Sequence, residues 1–211
     1  MEDNDFTQTQ KEKVRLLSEY RSDFDELLEA AEKLRQRSVE EWPEQFQKQL
    51  SDDLWSEEWM IRCEPREYGC IFKHGWYLND ENLEPTNVAE ETNGYSGLRL
   101  HFNHLIRSEQ SFSQGQLTYR LRCPTNVPLR DEFHQLYNSE QWQSKLEPLL
   151  DEKGITNKGN KRDYMQKTYD VDQSGLPESY FKTLVVAFKE YLEIADIVDE
   201  ILDEARVNIK D

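Results

Sequence analysis

From Phe181 to Ala205 the residues Phe181, Leu184, Phe188, Tyr191, Ala195, Val198, Leu202 and Ala205 recur at alternating steps of three and four without a break. That spacing keeps one side of a helix apolar along its whole length. It predicts a helix from near Pro177 to about Ala205. A second seam of the same spacing, Leu17, Tyr20, Phe24, Leu27, Ala31 and Leu34, predicts a helix over residues 8–37. Ser38-Val39-Glu40-Glu41 then reads as a capping box opening a shorter helix to about Leu50, with Pro43 in its first turn. Two long seams need cover: each other, a sheet, or a second copy. The early part of the C-terminal seam carries the largest side chains, so its distal positions Val198 and Leu202 are the candidate partner interface.

The middle of the chain changes period. Residues 58–78 contain Trp59, Ile61 and Cys63 in alternation, then apolar runs through Tyr68–Phe72 and Gly75–Leu78, and read as two or three short strands. Residues 79–95 are acidic and lack periodicity, which predicts a loop. Leu98, Leu100, Phe102 and His104 alternate with polar neighbours, as do Leu117, Tyr119, Leu121 and Cys123 beyond a glycine-containing turn. Period-two patterning on both arms predicts an antiparallel hairpin. Residues 129–137 and 139–151 read as two short helices, the second capped by Ser139 and stopped by Gly154. Gly154–Lys167 reads as a basic loop. The expected fold class is α+β, a small antiparallel sheet flanked by long N- and C-terminal helices. It divides into an N-terminal helical segment, 1–50, and an α+β domain, 51–211, which together are expected to form one folded unit.

Composition limits the setting. The 211 residues carry 43 Asp/Glu against 26 Lys/Arg, a net charge of −17. Such a field favours solubility and repels nucleic acid at long range. It also fits a saline cytoplasm. Three cysteines and an acidic, polar N-terminus point to a reducing, cytoplasmic location, and no apolar run is long enough to span a membrane. The charge is uneven. Residues 96–167 hold 11 Lys/Arg against 8 Asp/Glu, so an acidic frame surrounds a mildly basic middle.

Catalytic patterns are absent. There is no G-x-S-x-G elbow, no phosphate-binding glycine loop and no Glu-x-Lys triplet of the kind a magnesium-dependent nuclease strand carries. Cys63, Cys70 and His74, with Cys123 apart, lack the tight pairs of a structural zinc site and read as ordinary strand cysteines. No catalytic residue, metal site or cofactor is therefore assigned. What remains is electrostatic. Arg99, His101, Thr118, Arg120 and Arg122 share one face of the hairpin, and Lys158, Lys161, Arg162 and Lys167 form a second basic cluster. Together these predict a phosphate or nucleic-acid contact. The competing reading is that the arginines pair with acidic helices.

Several short segments come in one order: Gly75-Trp76-Tyr77, the alternating hairpin, Pro128-Leu129-Arg130 with Phe133, Lys167–Asp172, and Glu178-Ser179-Tyr180-Phe181 leading into a long acidic helix. That order resembles the C-terminal, non-catalytic region of some prokaryotic PD-(D/E)XK nuclease-like proteins, over about 60–211. The family's catalytic residues belong to a preceding domain, so the resemblance implies none here. It implies a module for binding or assembly. The leading expectation is a non-catalytic binding or accessory module acting with nucleic acid or a nucleic-acid-processing enzyme. The alternatives are a protein–protein interaction or dimerisation module without a nucleic-acid role, and an unassigned hydrolase or nuclease.

Overall fold

The computed structural model describes residues 7–50, 54–63, 68–76, 100–105, 114–123 and 128–210; within them the side chains of Leu17, Phe24, Arg35, Cys63, Tyr68, Leu105, Pro128 and Lys210 are left aside. Five helices are described: α1 (Gln8–Glu19), α2 (Arg21–Gln49), α3 (Pro128–Tyr137), α4 (Glu140–Lys153) and α5 (Glu178–Lys210). Six strands are described: β1 (Trp59–Cys63), β2 (Tyr68–Lys73), β3 (His101–Leu105), β4 (Gln116–Arg122), β5 (Thr156–Asn157) and β6 (Asp163–Asp170). They form one antiparallel sheet in the order β1-β2-β3-β4-β6-β5. The fold is α+β, with a small antiparallel sheet and a long C-terminal helix. The acidic stretch 79–95, Leu98 and Arg99 lie outside the described residues.

Residues paired across antiparallel strands share a face. Ile71, Phe102, Leu121 and Met165 make one such row, and Gly69, His104, Tyr119 and Lys167 the next. This face receives α5 and the end of α2. Phe188 meets Trp59 edge-on at 4.9 Å and Phe46 at 5.3 Å, and Tyr191 meets Tyr119 at 5.0 Å and Phe102 at 5.3 Å. Edge-to-face contacts at these distances add to the area that the rings already remove from water. The 33 residues of α5 reach about 50 Å, enough to cross the sheet and continue under α3 and α4.

Three local expectations are corrected. Ser38 does not cap a helix; it is buried inside α2, and its hydroxyl donates to the Leu34 carbonyl at 2.8 Å. Pro43 is likewise internal to α2. The helix survives the missing N–H because Trp42 and Phe46, on either side of the proline, are fully buried in the core. Residues 154–167 are not simply a loop. They build the β5–β6 hairpin, and a register shift opposite Leu121/Arg122 lets Tyr164 pack on Phe133 and Tyr137 of α3.

Candidate functional site

The hairpin arginines and histidine do not form an open basic surface. His101 is 2% exposed and Arg122 8% exposed, which corrects the expectation of an exposed strip. β3 and β4 are central strands, and Cys70, Phe72, His101 and Asn103 on this side are all buried. Arg122 Nε lies 2.7 Å from Asp163 Oδ1, an ion pair across β4 and β6. Arg120 is half-buried and donates from Nε to Asn103 Oδ1 at 3.0 Å. Arg99 lies outside the described residues.

The second cluster divides. Lys167 turns inward, donating to Glu190 of α5 at 2.7 Å and to the Lys153 carbonyl that ends α4 at 2.5 Å. Tyr169 donates to the same Glu190 oxygen at 2.7 Å. Burial and that carboxylate together push the Tyr169 hydroxyl well above its ordinary range. Lys167 thus ties sheet, α4 and α5 together. Lys158, Lys161 and Arg162 sit at the tip between β5 and β6 and are exposed. The tip is well built. The Lys158 and Gly159 N–H groups both donate to Tyr164, Gly159 adopts a φ of 52°, and Asn160 Oδ1 accepts from the Arg162 and Asp163 amides. Lys161 reaches Asp131 at 2.8 Å across exposed surface. Of the predicted contact residues that the structure describes, Lys158, Lys161 and Arg162 therefore share an accessible surface.

The predicted partner seam is also corrected. Val198 and Leu202 are 0% and 1% exposed within one chain. The distal half of α5 is covered because α3 and α4 pack on it. Charged residues beside the seam anchor it. Asp199 accepts from Lys73 of β2 and from the Trp76 indole, both at 2.5 Å. Burial nevertheless raises the Asp199 carboxyl above its usual range. Glu204 accepts from the Trp142 indole at 3.0 Å, and Lys145 lies over that ring and pairs with Glu200. The seam spacing alone did not reveal these anchors, although Asp199 and Glu204 adjoin it, next to Val198 and Ala205.

Exposed large apolar side chains among the described residues gather instead on α1 and the first half of α2, which hold Val14, Leu16, Tyr20, Leu27 and Leu28. Every described side chain from Gln8 through Lys33 is exposed. Val14 is 55% exposed, Leu27 66% and Leu28 69%. A capping box at Thr7 and Gln10 opens α1, and intrahelical pairs such as Arg15 with Glu12 and Glu19, and Lys33 with Glu29, line its polar side. Such pairs contribute only about 0.2–0.5 kcal/mol each. Of the three covers open to this seam, the C-terminal helix is reached by the continuation of α2 past Leu34, where Phe46 meets Phe188.

One buried polar group stands out inside. His104 is fully buried; its Nδ1 is 2.7 Å from the Tyr180 hydroxyl, its ring meets the Trp42 edge at 4.6 Å, and its Nε2 has no partner. The ring lies over Gly69, its cross-strand partner, where a Cβ would stand 1.9 Å from Nε2. Burial pushes its pKa down to about 3. Cys70 and Cys123 are buried thiols that are not joined in a disulfide. Among the described residues no group of three or more His, Cys, Asp or Glu side chains is placed to hold a metal, and no helix is long and apolar enough to cross a membrane. No protein-family model, curated protein or solved structure matches the chain.

Proposed function

We propose that this protein is a non-catalytic binding module whose contact surface is the N-terminal helical arm, Gln8–Leu34. One observation carries the reading: Val14, Leu16, Tyr20, Leu27 and Leu28 stand exposed on a helical arm joined to a body whose own seams are filled. Apolar side chains gathered on one projecting element mark an association surface, whereas isolated ones would mean nothing. The acidic composition and three cysteines fit a cytoplasmic setting. An accessory role beside a nucleic-acid-processing enzyme is consistent with the resemblance of residues 60–211 to the nuclease-like C-terminal region. A second reading, direct phosphate contact, rests on the exposed tip of Lys158, Lys161 and Arg162.

Amine-reactive cross-linking in extract of the native host, read by mass spectrometry, tests the arm. The wild-type chain is expected to give intermolecular cross-links from Lys11, Lys13 and Lys33, and the double variant Leu27→Glu, Leu28→Glu to lose them without a change in melting temperature. A wild-type chain without such cross-links, or a variant that keeps them, overturns the reading.

A further inference from the structure

The exposed arm carries a pattern that fits one particular partner. Between Val14 and Leu34 its apolar and aromatic residues are Val14, Leu16, Leu17, Tyr20, Phe24, Leu27, Leu28, Ala30, Ala31 and Leu34. Reflection of the sequence through Ser22 sends Val14 onto Ala30, Leu16 onto Leu28, Leu17 onto Leu27 and Tyr20 onto Phe24. Eight of the ten positions thus fall on apolar positions. A helix face that is its own mirror along the chain matches a second copy running the opposite way, because an isologous contact requires residue i to meet j while j meets i.

Charge selects the same arrangement. Residues 11–21 hold four basic side chains (Lys11, Lys13, Arg15, Arg21) against Glu12 and Glu19, whereas their reflection, residues 23–33, holds five acidic ones against Lys33. Antiparallel pairing about Ser22 sets the net-positive stretch of one copy along the net-negative stretch of the other. Parallel pairing in register sets five carboxylates beside five carboxylates, and like charges at helix-pair spacing repel. The break between α1 and α2 falls at Tyr20, two residues from the centre of reflection. Each α1 therefore lies along the partner's early α2. α1 also needs cover: it has 12 residues, all described side chains exposed, and an uncovered helix of that length is marginal in water.

We infer that two copies of this chain associate through their arms as an antiparallel helix pair centred near Ser22. The inference rests on the arm being the contact surface and adds the identity and direction of the occupant.

Two lysines already present report the direction. Antiparallel pairing brings Lys11 of one copy beside Lys33 of the other, while within one copy these residues lie on different helices, α1 and α2. Unlabelled and 15N-labelled full-length chains are mixed, cross-linked through amines and digested. The expected results are Lys11–Lys33 cross-links of mixed isotope content, a sedimentation mass of twice the chain, and loss of both in Leu27→Glu, Leu28→Glu, which reverts to the monomer mass. Mixed-isotope Lys11–Lys11 and Lys33–Lys33 cross-links without Lys11–Lys33 mean a parallel pair and overturn the inference. A monomer at every concentration overturns it too. In that case arm cross-links to a different protein in host extract leave the contact-surface reading standing, and their absence removes both. A dimer that survives the double variant places the interface elsewhere and also defeats both.

Discussion

His104 shows how one residue can be held by the absence of another. The imidazole occupies space that any side chain at position 69 would claim, and Gly69 supplies it. Its Nδ1 meets the Tyr180 hydroxyl, but Nε2 meets nothing, and full burial holds the ring neutral with its pKa down at about 3. The unfolded chain protonates the same ring near its ordinary 6.5. The sign follows: below pH 6.5 the unfolded state binds a proton that the native state does not. Stability is therefore complete above that value and falls as pH drops toward the native pKa. At about 1.4 kcal/mol per pH unit, the loss between pH 7 and pH 5 is roughly 2 kcal/mol. Urea unfolding at the two pH values is expected to show a difference smaller by about that amount in His104→Phe, a ring of similar shape that does not titrate. Equal pH dependence in both proteins would mean that His104 is not buried neutral.

At the scale of elements, α5 and the arm present the same spacing to opposite environments. Leu202 on α5 is 1% exposed beneath neighbouring helices, whereas Leu27 on α2 is 66% exposed. Truncating the first opens a cavity and costs about 2–5 kcal/mol. Truncating the second removes atoms that water already touches, and within a monomer it costs no more than about 0.5 kcal/mol. Denaturation of Leu202→Ala and Leu27→Ala, at a concentration where sedimentation shows monomer, compares them directly. Similar losses would mean the arm is packed on the body. Helix was legible over residues 181–205 and 14–34, since local periodicity shows in the sequence, but the single helix expected over 8–37 is broken at Tyr20. The fate of Ser38 and Pro43 was not. Their usual preference for helix starts was overridden by Trp42 and Phe46, whose burial holds α2 continuous through both.

For the whole molecule, charge opposes the phosphate-contact reading. The chain carries −17, and four of the predicted basic residues are taken up within the fold: His101 is buried, Arg120 donates to Asn103, Arg122 pairs with Asp163 and Lys167 with Glu190. The tip of Lys158, Lys161 and Arg162 is what remains exposed. Three phosphate contacts give a salt dependence with a slope of about −3 in log affinity against log salt. Fluorescence anisotropy with a DNA duplex is expected to show weak binding at low salt that fades along that slope and is lost in Lys158→Glu, Lys161→Glu, Arg162→Glu. No binding by the wild type at low salt, or binding indifferent to the triple substitution, removes the tip as a nucleic-acid contact.

The sequence by itself determined where the chain coils and where it extends. Steps of three and four bring side chains to one side of a helix, and alternation sends them to opposite faces of a strand, whatever lies beyond. It also determined the α+β class, the two short helices and the Ser139 and Gly154 caps that bound α4. Only the tertiary structure decided which seam is covered. Tyr180, Val185, Ala187, Ile194 and Ile201 widen the C-terminal seam into a broad buried face that fits between the sheet and α3. On the N-terminal seam the described side chains before Leu34, those of Tyr20, Leu27 and Ala31, stay exposed instead. The same held for the basic residues. A run of alternating arginines looks alike on an edge strand and a central one, but a central strand has neighbours on both sides. Arg122 in that position is spent on Asp163, while Lys158, Lys161 and Arg162 at a hairpin tip stay in water. Burial is set by what comes to lie opposite a residue, and that depends on parts of the chain far away in sequence.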